Sequence, residues 1–163
     1  MSEAEALYIR ENKPFPNSTL PVLVYRSALQ EGKPAFDRLF KQNGWTGVWV
    51  NGVYGFHHFH AEAHEALGCL SGKARLMLGG PDGLAVDIRA GDALLLPAGT
   101  GHCLLSCSHD FSIAGAYPKG QRPDLQEGSP SDYERLKAFA RAVPLPASDP
   151  VLGGSGAASG AWR

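Results

Sequence analysis

Short apolar runs, broken by Gly and Pro, dominate the middle of the chain. From Trp45 to Tyr117 alternating or β-branched patches predict strands near 45–50, 53–59, 65–71, 73–79, 84–89, 92–96, 102–107 and 111–117. Gly52, Gly72, Gly79-Gly80-Pro81-Asp82-Gly83, Gly91 and the stretch Pro97 to Gly101 sit at the joints. Strands this short and this evenly spaced predict a sandwich or barrel. Two segments have helical spacing instead. Phe36, Leu39 and Phe40 follow Pro34 and stop at Asn43-Gly44, and Tyr133, Leu136, Phe139, Ala140 and Val143 share one face of 131–143. Ser131 stands three residues before Glu134, the spacing of a capping box.

The flanks read differently. Pro14, Pro16 and Pro21 make residues 1–20 an extended arm, and PVLVYR (21–26) is a first strand. Residues 144–163 are Pro-rich, then rich in Gly, Ser and Ala, and the end is expected to be loose. No repeat and no composition break divides the chain. The expectation is one domain over 1–163 with its barrel at about 45–117.

Composition narrows the partners. Fifteen basic against sixteen acidic side chains leave a net charge of -1, so there is no excess to neutralise phosphates and nucleic acid is not expected. No apolar run approaches the roughly 20 residues that span a bilayer, and the polar start MSEAEALYIRENKPFP has no signal-peptide core, so no membrane is expected and the expected location is cytoplasmic. Cys69, Cys103 and Cys107 are odd in number and lack a C-x-x-C pair; they read as small buried hydrophobes.

Four of the six histidines lie in GFHHFHAEAHE. In a strand His58 and His60 share a face, about 7 Å apart, and both can reach one ion. Glu65 opens the next apolar run, and His102 follows the turn PAGTG. Three imidazoles and a carboxylate suit a divalent transition ion such as Mn, Fe, Co, Ni or Zn, and the ligand types do not choose among them. Alternation turns His57 and His64 away from that face. His109, in CSHDF, is expected in solvent.

These residues resemble the cupins. The first cupin motif, G-x5-H-x-H-x3,4-E-x6-G, is matched by Gly52, His58, His60, Glu65 and Gly72. The second, G-x5-P-x-G-x2-H-x3-N, is matched by Gly91, Pro97, Gly99 and His102, with Ser106 in place of the final Asn. HHFHAEAHEALG, DALLLPAGTGHCLLS, FSIAGAYPKGQ and PLPASDPVLG are similar to the small bacterial YjlB-like cupins, a largely uncharacterised group. The resemblance implies an all-β double-stranded β-helix, a jelly-roll barrel with short peripheral helices. It implies a metal held inside by His58, His60, Glu65 and His102. Phe56, Leu67, Leu76, Leu78, Leu94, Leu96 and Leu104 are expected on the inner surface.

Two function classes follow. One is an enzyme, resembling cupin dioxygenases and oxalate-degrading enzymes, that acts on a small oxygen-bearing substrate. Glu62 and His64, between the ligand positions, are then the candidate acid/base residues. The other is a metal-dependent small-molecule binding or sensing protein without turnover. A homodimer is expected, with residues 1–26 in the interface, because the apolar PVLVYR carries its only charge, Arg26, at its end.

Overall fold

In the computed structural model, which describes residues 4–154 and 157–162, the apolar runs become two facing antiparallel sheets. The strands are β1 (Glu5–Leu7), β2 (Val22–Tyr25), β3 (Thr46–Asn51), β4 (Glu65–Ser71), β5 (Lys73–Leu78), β6 (Leu84–Arg89), β7 (Ala93–Leu96), β8 (His102–Cys107) and β9 (Ser112–Tyr117). Six of them form one sheet in the order β1-β2-β7-β4-β9-β3, and three form the other in the order β6-β5-β8. The fold is the expected double-stranded β-helix. Helix α1 (Phe36–Gln42), a 3-10 turn at Pro130–Asp132, α2 (Tyr133–Ala142) and α3 (Ala157–Ala161) lie around it. Among the described residues no helix is long and apolar enough to cross a membrane.

Period-two alternation sorts the side chains. Val22, Val24, Leu67, Leu94, Leu96 and Ile113 of the larger sheet point between the sheets, against Leu76, Leu78, Val86 and Ile88. Their neighbours Leu23, Tyr25, Ala66, Leu95 and Ala114 point outward. There α1 and the C-terminal segment cover them, through Phe36, Phe40, Val151 and Trp162. A sheet covered on both faces needs apolar residues at every position, which is why β2 and β7 read as VLVY and ALLL. The smaller sheet is covered on one face only. KARLML of β5 accordingly alternates, with Lys73 and Arg75 exposed and Ala74, Leu76 and Leu78 buried. Gly68 lets α1 approach, since a Cβ there would lie 2.2 Å from the Phe36 ring.

Five expectations change. The segment 53–59 is not a regular strand. Among the described residues it forms single bridges, His58 to His102 and Phe59 to Gln126, and one further backbone bond from Leu104 N–H to the Tyr54 carbonyl, so no continuous ladder forms. PVLVYR is not a free edge, because β2 pairs with β7 of its own chain and β1 covers its other side. The capping box does not close: Asp132 is the residue before α2, no side chain caps the helix, and the Ser131 hydroxyl meets Ser129 instead. Phe139 of α2 is exposed, with Arg135 over its ring. The end of the chain is not loose at Trp162. Its indole is buried and donates from Nε1 to the Pro21 carbonyl at 2.9 Å.

Candidate metal centre

The fold brings three chain segments to one end of the space between the sheets. His58 and His60 sit on the irregular segment before β4. Reciprocal backbone bonds hold its inner side to β8, His58 N–H to His102 O at 3.1 Å and His102 N–H to His58 O at 2.8 Å. Its outer side packs Phe59 against Phe15 and Leu136. Glu65 is the first residue of β4 and shares the inward parity of Leu67. His102 is the first residue of β8 and shares the parity of Leu104. The four ligand candidates therefore come from both sheets and from the segment bridging them.

Each imidazole is oriented the same way. Nδ1 of His58 bonds the Phe56 carbonyl at 2.9 Å, Nδ1 of His102 bonds the Thr100 carbonyl at 3.0 Å, and Nδ1 of His60 bonds the Asp124 carbonyl. A carbonyl only accepts, so Nδ1 carries the hydrogen and Nε2 is the atom presented to the centre. One ligand nitrogen from each of the three rings lies within 4.8 Å of the other two. Glu65 Oε1 stands 3.4 Å from His60 Nε2 and 3.3 Å from His102 Nε2. It joins two rings of the trio. His58, Glu65 and His102 are buried, and the His60 side chain is 12% exposed.

The electrostatics follow from this packing. Burial, then the neighbouring His102, pushes His58 down to about 4. Burial also works against a charged His60. The Glu65 hydrogen bond and charge, with the Asp124 carbonyl, outweigh it and raise His60. Burial would raise Glu65, but hydrogen bonds from His102 and His60 hold its carboxyl well below the usual range. Three tautomer-locked nitrogens and one anionic oxygen fit a divalent transition ion.

The centre opens into a cavity of about 390 Å³. Leu67, Trp49 and Val53 line its depth, and Val50, Tyr54 and Leu125 stand at its wall partly in solvent. Gly115 makes room for Trp49, since a Cβ there would lie 2.2 Å from the indole. Trp49 Nε1 donates to the Tyr117 hydroxyl at 2.8 Å. That hydroxyl faces Glu65, and burial and the carboxylate both push it up.

No protein-family model matches the chain. The uncharacterised protein YjlB of Bacillus subtilis is 36% identical over 152 residues, which cover 93% of this chain and 92% of its relative. The chain is a YjlB-like cupin. Solved structures similar to it include an acireductone dioxygenase from Bacillus anthracis holding cadmium in its active centre (15% identical, 63% of this chain and 82% of that one, TM-score 0.41). A cupin from Bacteroides fragilis is 25% identical over 52% of this chain and 66% of its own, with a TM-score of 0.34. An oxalate decarboxylase variant from Bacillus subtilis is 18% identical over 71% and 30%, with a TM-score of 0.40.

In this YjlB-like cupin neither acid/base candidate reaches the cavity. His64 has the outward parity. It is buried against Trp162 with ring centroids 4.7 Å apart, accepts from Ala98 N–H at 2.8 Å on Nδ1, and donates from Nε2 to the Pro144 carbonyl at 3.1 Å. Burial pushes it down to about 4, although the carbonyls of Pro144 and Val143 oppose this. Both nitrogens are committed, so His64 braces the tail against the barrel. Glu62 is exposed and lines a separate surface hollow with Lys119 and Arg122. His57 lies edge-on to Phe15, with its Nδ1 buried and unbonded, and His109 is exposed. Phe56, expected inside, is 38% exposed and stacks on Tyr54.

The sequence reading missed the segment after β9. Asp124 holds His60 through its carbonyl. Its carboxylate accepts Ala61 N–H at 2.8 Å and Glu62 N–H at 2.9 Å, which fixes the histidine segment. Gln126 pairs with the backbone of Phe59 and bonds the Asp124 carboxylate. In sequence these residues are an ordinary polar link, PKGQRPDLQEGSP, and nothing local marks them.

Proposed function

We propose that this YjlB-like cupin is a metal-dependent oxidoreductase of the dioxygenase type, acting on a small oxygen-bearing substrate. His58, His60, Glu65 and His102 would hold a divalent ion, Mn, Fe, Co, Ni or Zn. The observation that carries the reading is the shared orientation of three imidazoles, each tied through Nδ1 to a backbone carbonyl and facing one carboxylate at the foot of a cavity. A bound divalent ion supplies Lewis acidity there and, where it is redox-active, access to dioxygen chemistry.

The chain's own residues set the conditions. The Asp124 carbonyl and carboxylate keep His60 and its segment in place. Trp49 and Leu67 exclude water beside the centre. The Tyr117 hydroxyl, held by Trp49, keeps its proton and hydrogen-bonding capacity next to Glu65.

One observation favours the second reading, a non-catalytic binding or sensing protein. With Glu62 and His64 outside the cavity, its remaining titratable lining is Tyr54, Tyr117 and Asp124, and the Asp124 carboxylate already accepts three hydrogen bonds. Oxygen uptake by the Fe(II)- and Mn(II)-loaded protein, with a panel of diketones, phenols and small diacids, separates the two. Substrate-dependent uptake that is lost in His102→Ala supports the enzyme. Ligand binding with no uptake across the panel supports the sensor.

A single domain, a cytoplasmic location and a homodimer belong to the same proposal. The sheet ends in β1 on one side and β3 on the other. The three-residue β1 keeps the N-terminal arm at an edge, where a second copy can meet it.

A further inference from the structure

We infer that the cavity selects a ligand with one monoanionic oxygen-donor head and an uncharged, apolar or aromatic body, and discriminates against dianions and polyhydroxylated molecules. This deepens the proposed metal reading and rests on it.

Among the described residues no lysine or arginine lines the cavity. Its acids are Glu65 and Asp124. A divalent ion balanced by Glu65 leaves one net positive charge, enough for one anionic head. A second anionic group on the ligand finds no cation in the wall and faces Asp124. Burying it without a partner is costly.

A body rich in hydroxyls needs donors and acceptors placed to read it. Here most are committed, the Asn51 amide nitrogen and the Tyr54 hydroxyl apart. Asp124 Oδ1 accepts Ala61 and Glu62 N–H, Asp124 Oδ2 accepts from Gln126, and the Tyr117 oxygen accepts from Trp49. The histidine Nδ1 atoms are bonded to carbonyls.

Trp49, Val53 and Leu67 form an apolar depth. At the opening Val50, Tyr54 and Leu125 are 51%, 54% and 48% exposed, and the Tyr54 ring is backed by Phe56 at 4.8 Å. Apolar side chains left in solvent around an opening that leads to polar ligand atoms form an interaction surface. A volume of about 390 Å³ suits a molecule built around one ring. The head then lies at His58, His60 and His102, and the body lies along Trp49 toward Tyr54 and Leu125.

Three probes separate head from body in the full-length Co(II)-loaded protein. Benzohydroxamate and acetohydroxamate share one monoanionic chelating head and differ in a phenyl against a methyl; oxalate is a small dianion. Binding is followed by calorimetry and by the visible cobalt bands, with cobalt content checked after each titration. The expected order is benzohydroxamate at least tenfold tighter than acetohydroxamate, with oxalate the weakest. Leu125→Ala and Tyr54→Ala should each shrink the phenyl preference severalfold and leave acetohydroxamate unchanged. Oxalate binding as tightly as benzohydroxamate, or a phenyl preference intact in both variants, overturns the ligand class while leaving the metal centre standing. A protein that takes up no cobalt overturns the metal reading itself, and the ligand class with it.

Discussion

Replacing Glu65 with Gln keeps the shape of the side chain and removes its charge, so it isolates what the carboxylate does in the metal-free protein. The side chain is 4% exposed and reaches two imidazoles, at 3.4 and 3.3 Å. Glu65 is held below its ordinary value: burial opposes ionisation, but the His102 and His60 bonds prevail. Its contribution is therefore complete above the usual carboxyl value of about 4.3 and disappears as pH falls through the lowered one. His60 is raised: burial opposes, but Glu65 and Asp124 prevail. Its contribution is complete below about 6.5 and disappears as pH rises through the raised value. Both are present between about pH 4.5 and 6.5. A charge-assisted hydrogen bond contributes about 1.5–3 kcal/mol, and the Gln oxygen retains part of it. Glu65→Gln should cost the chelator-treated protein about 2 kcal/mol at pH 6, or about 4–8 °C in Tm for a chain of this size. The loss should be smaller at pH 9 than at pH 6, since the His60 contribution fades as pH rises through its raised value. Urea unfolding of both proteins at the two pH values measures it. An equal loss at pH 6 and pH 9, or none at either, would refute the ion pair.

Gly115→Ala places a Cβ against the Trp49 indole, and relief of that overlap should cost about 1–3 kcal/mol and constrict the cavity while leaving metal uptake intact; unchanged stability and unchanged probe binding would show that the indole is not held there. Trp162→Ala removes a buried ring that packs on His64 and bonds Pro21, and should cost about 3–5 kcal/mol by denaturant titration, against nothing if the end of the chain is loose. Light scattering should give a dimer for the full chain and a weaker one for a chain lacking residues 1–20; a full-length monomer at tens of micromolar would contradict the dimer, and an equally tight truncated dimer would exonerate the arm.

Much of the barrel was legible because alternation is a local property. Glu65–Ser71 and His102–Cys107 are strands over the limits that periodicity gives, and the parity of Leu67, Leu94 and Leu104 follows from counting by twos. The outward turn of His64 follows from the same count. Other features depend on contacts far apart in sequence. Phe59 meets Gln126, and His60 is set by Asp124, 64 residues away. No local pattern at either end announces these pairings. The absence of a ladder at 53–59 has the same cause: the run has strand composition, but the fold offers it one-residue bridges on each side. The Ser131–Glu134 spacing is a real local signal that the 3-10 turn at Pro130–Asp132 overrides.

The central claim is that His58, His60, Glu65 and His102 hold one divalent ion. Its most direct test is metal content by plasma spectrometry, after loading and desalting, for the wild type and for His58→Ala, His60→Ala, His102→Ala and His57→Ala. Circular dichroism confirms that each variant is folded. About one equivalent is expected in the wild type and in His57→Ala, and a strong loss in the other three. Wild-type metal content in all three ligand variants would contradict it.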